Sequence, residues 1–477
     1  MEFESVIGLE IHAEMSTKTK MFCGCSNDNF GATPNTNVCP ICTGFPGMLP
    51  VPNKESIKKG VISALALNCK INHHSKFDRK NYFYPDLPSG FQISQYDEPI
   101  SQNGYLEIIM ADGTKKRIGI TRLHLENDAG KLMHVANGTL LDFNRAGKPL
   151  MEIVSEPDMR SASEASEYAK TIQKLVRYAG SSDCDMEKGQ MRFDASVSIR
   201  PKGESKLYPR AEIKNLNSFR SLESAIDYEI KRQIELWEQG NPVSGEQTVG
   251  WDETKGETYL LRDKESAADY RYFPEPDLPP IEITEEMLAE WQKEVPESPV
   301  TVMTRFQEVY GLIEADARFF AENSKTAKLF EQVAIATKNP RSSASFIGTV
   351  LISKLKESNK TMEESGITAE HIIQLIRLVD AGTISNNVAK GELFEEMLLS
   401  AKLPEQIIKE KGMTQVSGEG EIEALCKKAI ETNPGAVADV KAGKTKAMAT
   451  IIGSVMKESK GRANPQMVNA TLTKLLT

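Results

Sequence analysis

Alternation governs the first half of this chain. In "VIGLEIHAEM" (6–15), Ile7, Leu9, Ile11, Ala13 and Met15 take every second position, and Gly8, Glu10, His12 and Glu14 fill the places between them. Successive side chains of a β-strand point to opposite faces, so a segment written this way makes a strand with one apolar and one polar side. The pattern recurs. In "RIGITRLHLEND" (117–128), Arg122, His124 and Glu126 oppose Leu123 and Leu125. In "PLMEIVSE" (149–156), Glu152 and Glu156 oppose Met151, Ile153 and Ser155. In "QMRFDASVSIR" (190–200), Arg192, Asp194, Ser196, Ser198 and Arg200 oppose Met191, Phe193, Ala195, Val197 and Ile199. In "YPRAEIKN" (208–215), Arg210, Glu212 and Lys214 share a face. Together these segments predict an antiparallel sheet with one buried and one wet side.

A merely solvated face would tolerate Thr, Ser, Gln and Lys. This one repeatedly offers Glu, Asp, His and Arg, the groups that bind metals and phosphates. Carboxylates converging in a cleft repel one another unless a cation sits among them. Hard oxygen ligands suit Mg²⁺, which works beside substrate phosphates. Between the strands, "FDRKNYFYPDLPSGFQISQYD" (77–97) interleaves Tyr82, Phe83, Tyr84, Phe91 and Tyr96 with Arg79, Lys80 and Asp86. It reads as a packed aromatic loop or as a platform for stacked bases and phosphates.

The period then changes. After the proline-rich "FPEPDLPPIEI" (273–283) and "VPESPV" (295–300), apolar residues fall three and four apart, as in helices. A chain of 477 residues is too long for one core. The expected division is a strand-rich domain over 1–294, a middle helical domain over 295–410 and a helical tail over 411–477, with "VSGEGEIE" (416–423) as the loop before the last. The fold class is α+β. The tail is basic. From Lys441 onward seven lysines and arginines stand against Glu458 alone, a balance of +6 that leaves −15 for residues 1–440 of a chain with net charge −9. Such a run is either a solvated helix surface or an arm for a polyanion. "GAVADVKAGKT" imitates a P-loop but has Ala438 where the first glycine belongs and no strand before it. No run approaches the roughly 18 apolar residues of a membrane span, and "MEFESVIGLEI" is no signal peptide, so a cytoplasmic protein without membrane contact is expected.

Four of the seven cysteines, Cys23, Cys25, Cys39 and Cys42, crowd into "FCGCSNDNFGATPNTNVCPICTGFPG" (22–47). They bind a metal, form disulfides or fill a core. An odd total and a reducing compartment sit badly with disulfides. Cys69, Cys184 and Cys426 are isolated and read as core residues.

Seven ordered blocks, "VIGLEIHAEM", "CPICTGFPGMLPVPN", "RKNYFYPDLPSGFQISQYDEPI", "LHLENDAGK", "LLDFNRAGKPLMEIVSEPDMRS", "EIKNLNSF" and "ADYRYFPEPDLPP", together resemble the B subunit of the bacterial aspartyl/glutamyl-tRNA(Asn/Gln) amidotransferases. The likeness covers essentially the whole chain. One departure is Asn127, where a second acid is expected after Glu126.

The resemblance implies a cradle-like catalytic domain with a zinc knuckle, and a tail that binds tRNA. It implies a heterotrimer with an amidase A subunit and a small C subunit. The B subunit uses ATP and Mg²⁺ to phosphorylate the side-chain carboxylate of misacylated Glu-tRNA(Gln) or Asp-tRNA(Asn). Ammonia released from glutamine by the A subunit then displaces the phosphate. On this reading Glu10, His12, Glu126 and Glu152 hold Mg²⁺, and Arg192, Arg210 and Lys214 meet phosphates. Asp194 and Glu212 are further metal or orienting groups. Lys80, Tyr82 and Tyr84 guide the charged CCA end. Cys23, Cys25, Cys39 and Cys42 hold a structural zinc. Two rivals are weaker. A glutaminase lacks any Ser-Ser-Lys-like or Cys-His arrangement here, and a non-catalytic tRNA-binding module leaves the charged face unexplained.

Overall fold

The computed structural model describes residues 2–264, 270–413, 418–441, 445–459 and 462–476. Lys444, Lys460 and the start of the "ADYRYF" block lie outside the described residues. The chain falls into two compact units, Met1–Pro299 and Val300–Thr477.

The first unit is built on a nine-stranded sheet. In chain order its strands are β1 (Phe3–Glu14), β2 (Lys70–Ile71), β3 (Ser101–Ile109), β4 (Lys115–Asn127), β5 (Pro149–Ser155), β6 (Met191–Pro201), β7 (Ala211–Leu216), β8 (Glu246–Asp252) and β9 (Glu257–Lys264). Across the sheet they run β9-β8-β7-β6-β1-β5-β4-β3-β2, so the first strand of the chain is central. The expected antiparallel pairing holds at every junction but one. β7 and β8 are parallel. Parallel neighbours need a crossover, and a helix, α3 (Phe219–Glu238), makes it. α3 joins α1 (Lys54–Ala66) and α2 (Ala162–Tyr178) on the sheet's apolar side. Val61 and Ile62 of α1, Tyr168 and Ile172 of α2 and Leu222 and Ile226 of α3 share one core with Ile7, Leu9 and Ile11 of β1. Asn53, Ser161 and Ser218 cap the three helices through their side chains, satisfying backbone N–H groups that a helix start leaves unpaired. These three helices pack on one side, so the even positions of β1 remain on the other.

The aromatic segment is not a plain loop. Asp78–Asn81 and Phe91–Ser94 pair as a hairpin, and Phe273–Pro274 adds a third short strand. Asn127 ties this small sheet to β4, because its side-chain oxygen accepts the Ile93 N–H at 2.8 Å.

The second unit is helical. The long periodic stretch after 300 is two helices, Pro299–Tyr310 and Glu314–Ala321, broken at Gly311, whose φ is +64°. In its core Phe320 stacks on Phe330, and Phe306 meets Phe330 edge-on. The helices Glu419–Thr432, Met448–Glu458 and Pro465–Leu476 enclose a separate cluster of Ile422, Cys426, Ile451, Val455, Val468 and Leu472. The expected loop over 416–423 is only partly a loop. Residues 416–417 lie outside the described residues, and the helix already begins at Glu419. Glu421 is a good helix former and Ile422 is buried in that apolar cluster, and together these outweigh Gly418 and Gly420.

Candidate active site

The register of four strands writes the centre of the site. One row of the ladder crosses Arg192 on β6, His12 on β1, Glu152 on β5 and His124 on β4. In the next row Asp194 lies opposite Glu10. Cross-strand neighbours stand about 5 Å apart, so side chains far apart in sequence converge on one patch.

His12 is the hub. Its Nδ1 lies 3.6 Å from Glu126 Oε1 and 3.8 Å from Glu152 Oε2, and its Nε2 lies 3.8 Å from Asp194 Oδ2. Nδ1 is buried without a hydrogen-bond partner among the described residues. Two potential ligand groups share this ring: Glu10, His12 and Asp194, and His12, Glu126 and Glu152, each with ligand atoms within 4.8 Å of one another. His124 backs the second group, with Nε2 3.4 Å from Glu152 Oε2, and Ser94 donates to Glu126 Oε2 at 3.2 Å. On the other flank Lys214 Nζ bridges Asp194 Oδ2 at 2.8 Å and Glu212 Oε1 at 2.6 Å. Asn215, held at φ +59° beside a β-bulge, donates its backbone N–H to Asp194 Oδ1 at 2.9 Å.

The electrostatics follow from this crowding. Burial would push the His12 imidazole down, but Asp194, Glu126 and Glu152 outweigh it and hold it at about 10. Burial likewise favours neutral carboxyls at Glu126 and Glu152, but the neighbouring histidines win. His12, His124 and Lys80 keep Glu126 well below its usual range, and His124 and His12 keep Glu152 at about 2. Glu10 goes the other way. Burial, then Glu152, raises its carboxyl, and Lys214 only partly compensates. Without an ion, protonated imidazole occupies the centre of an anionic cup. A hard divalent cation fits this carboxylate-rich set, and Nδ1 of His12, buried without a hydrogen-bond partner among the described residues, becomes a ligand atom beside it once its proton leaves.

Of the other expected residues, Lys80 is near. Its ammonium lies 5.2 Å from the Tyr270 ring centre, and burial, which would lower its affinity for a proton, is outweighed by Glu126 and Glu152. Tyr82 donates to Gln92 Oε1 at 3.3 Å, and Tyr84 is exposed. Arg192 is turned to Asp128, 3.2 Å from Oδ1 and 3.4 Å from Oδ2. Arg210 stands just before β7 with its Nε 3.5 Å from Glu246, at the rim rather than in the cluster. His124 and Asp128 complete the site, and sequence reasoning misses both as site residues. The shared face of Arg122, His124 and Glu126 is the available signal for the first, whereas Asp128 lies just past the end of β4, where alternation stops.

The knuckle segment brings Cys23, Cys25, Cys39 and Cys42 together, with all four sulfurs within 4.8 Å of one another. All seven cysteines are free thiols. Cys42 is shifted toward its thiolate. A hydrogen bond from Cys23 holds its thiol down at about 4, against the effect of burial, and the Cys39 N–H donates to it at 3.2 Å. Burial pushes Cys25 up to about 11. Four sulfurs that close suit a tetrahedral zinc.

The whole first unit corresponds to one class of domain. Residues 5–289 match the family model of the GatB/GatE catalytic domain, and residues 328–476 match that of the GatB domain. Relatives named as the B subunit of aspartyl/glutamyl-tRNA(Asn/Gln) amidotransferase align end to end. The protein of Carboxydothermus hydrogenoformans is 49% identical over 99% of this chain and 98% of its own, and that of Persephonella marina is 48% identical over the full length of both. That of Thermotoga maritima is 48% identical over 100% and 99%. The chain belongs to this family of amidotransferase B subunits.

Proposed function

We propose that this chain activates and amidates the side-chain carboxylate of misacylated Glu-tRNA(Gln) or Asp-tRNA(Asn), working with an amidase A subunit and a small C subunit. The observation that carries the reading is the hub at His12, where two ligand groups meet on a sheet face flanked by Lys80 and Lys214. A carboxylate does not react with ammonia because oxide is a poor leaving group. Transfer of the γ-phosphoryl group of ATP to a carboxylate oxygen breaks the bond to ADP and makes an acyl phosphate. Ammonia then adds to the carbonyl carbon, inorganic phosphate departs, and the nitrogen gives up a proton. Phosphoryl transfer asks the protein mainly for positioning and positive charge on the phosphate oxygens.

Glu10, His12, Glu126 and Glu152 would hold Mg²⁺, with Asp194 and Glu212 beside them. The ion supplies charge stabilisation at the phosphoryl oxygens. Lys214, held between Asp194 and Glu212, is aimed into the face rather than out to water. Arg192, fixed by Asp128, offers a second cation, and Arg210 a third at the rim. Lys80, Tyr82 and Tyr84 lie on the hairpin beside Glu126, where a charged CCA end would enter. The knuckle would be a structural zinc site. The basic helical tail would bind the tRNA body, since Lys441, Lys446, Lys457 and Lys474 are exposed and make no ion pair within 4.0 Å among the described residues.

The test is ATP cleavage by the assembled complex. It should depend on misacylated tRNA and Mg²⁺, and Glu10→Gln should abolish it together with amide formation. Near-normal turnover of Glu10→Gln at saturating Mg²⁺ would overturn the assignment.

A further inference from the structure

Lys20 has no exposed surface at all, although lysine is among the residues least often buried. Taking an ammonium out of water costs several kcal/mol unless an anion meets it. Among the described residues no carboxylate lies within 4.0 Å of its Nζ. Its two polar contacts are the Asn37 carbonyl at 2.9 Å and Cys42 Sγ at 3.6 Å. A neutral thiol is a weak acceptor and would leave the charge uncompensated. A thiolate would not. The surroundings close around this contact. Gly147, at φ +86°, comes so near that a Cβ there would sit 3.2 Å from Cys42 Cβ and 3.6 Å from Lys20 Cδ, and its carbonyl accepts the Met21 N–H at 2.8 Å.

We propose that Lys20 is the counter-ion of the cysteine cluster. It donates to the Cys42 thiolate, favours the cluster in its anionic, metal-holding state and slows loss of the ion. The inference rests on the zinc-knuckle reading. Four thiolates around a dication carry a net charge of −2, and a buried ammonium in contact with one of them removes half of it. Outer-shell partners of this kind set metal affinity by about 10- to 100-fold.

The experiment is zinc competition with a chromophoric chelator, using the full chain in its complex, for wild type, Lys20→Met and Lys20→Arg. Lys20→Met keeps the length of the side chain and removes the charge. It should bind zinc about 10- to 100-fold more weakly, and Lys20→Arg should recover most of the loss. In Co²⁺-loaded protein the sulfur-to-metal absorption should move to lower energy in Lys20→Met alone, which a purely structural lysine would not cause. Equal zinc affinity and unchanged Co²⁺ spectra in Lys20→Met overturn the inference and leave the zinc knuckle standing. A wild type that binds no zinc overturns both. If Lys20→Met does not fold, Lys20→Gln takes its place in the same zinc competition, and an affinity equal to wild type overturns the inference.

Discussion

His12 gives the most direct test of the electrostatic design. Its imidazole is held at about 10 instead of the ordinary 6.5, because Asp194, Glu126 and Glu152 outweigh its burial. Each tenfold in proton affinity is worth about 1.4 kcal/mol, so protonated His12 contributes at most about 5 kcal/mol to the ion-free fold. Breaking a buried ion pair from one side typically costs about 3–5 kcal/mol, which sets the same scale. The folded-state value is raised. The contribution is therefore complete below pH 6.5 and is lost as pH climbs through about 10. His12→Ala should accordingly destabilise the protein by about 3–5 kcal/mol at pH 6 in chelator, and the gap should narrow steadily as pH rises above 6.5 and be nearly closed by about pH 10. All three tryptophans, Trp237, Trp251 and Trp291, lie in the sheet unit, so their fluorescence in a denaturant titration reports that unit alone. A gap that stays constant from pH 6 to 10.5, or is absent at pH 6, would refute the picture of a cationic hub.

Glu10→Gln should raise the stability of metal-free protein while ending amide formation. Burial and Glu152 raise that carboxyl, so its charge opposes folding at neutral pH; the gain should vanish below pH 4.5, where the group is protonated in both states. Lys148 and Glu14 form a buried pair at 2.8 Å. Lys148→Met should cost about 3 kcal/mol, and a second change, Glu14→Leu, should recover most of it in the same fluorescence titration. Elemental analysis should find one Zn²⁺ per chain, and Cys39→Ser should lose both the zinc and several degrees of melting temperature. Deleting residues from 411 onward should raise KM for charged tRNA by about 10- to 100-fold and flatten its salt dependence. Turnover at saturating tRNA should be nearly unchanged, because contacts made equally in ground and transition states do not set kcat. Equal KM and salt slope in both forms would make the tail a solvated surface.

The active face is legible in the sequence because a two-residue period is unambiguous once one face is apolar and the other charged. Glu10, His12, Glu126, Glu152, Asp194, Glu212 and Lys214 all sit where alternation puts them. The helices of the sheet unit are harder to see. α2 carries Ser161 as its cap and Ala165, Tyr168, Ala169, Ile172 and Val176 at helical spacing, but it lies between strong strands whose signal dominates. The parallel pairing of β7 and β8 depends on where α3 returns the chain, which no local pattern encodes. Arg210 shares the face of Lys214 by parity, yet it lies before the start of its strand, and parity says nothing about distance along a strand. Lys20 and Asp128 are invisible for a related reason. Each is defined by a partner, Cys42 or Arg192, that is distant in sequence and lies on irregular or neighbouring backbone.

The central position of β1 has a consequence for how the protein is made. Its partners, β5 and β6, end at Ser155 and Pro201. At about 5–20 residues per second of synthesis, the strand carrying Glu10 and His12 waits about 10–40 seconds before both neighbours exist. Until Ser155 has been made, the strand that carries the apolar row of Ile7, Leu9 and Ile11 has two unpaired edges, and from then until Pro201 it has one. The hub of the site is thus made well before either neighbour and enclosed only when the later one arrives. Substitutions in β1 should therefore reduce the yield of folded chain more than equally buried substitutions in β6. Counting soluble protein per translated chain would measure that difference directly.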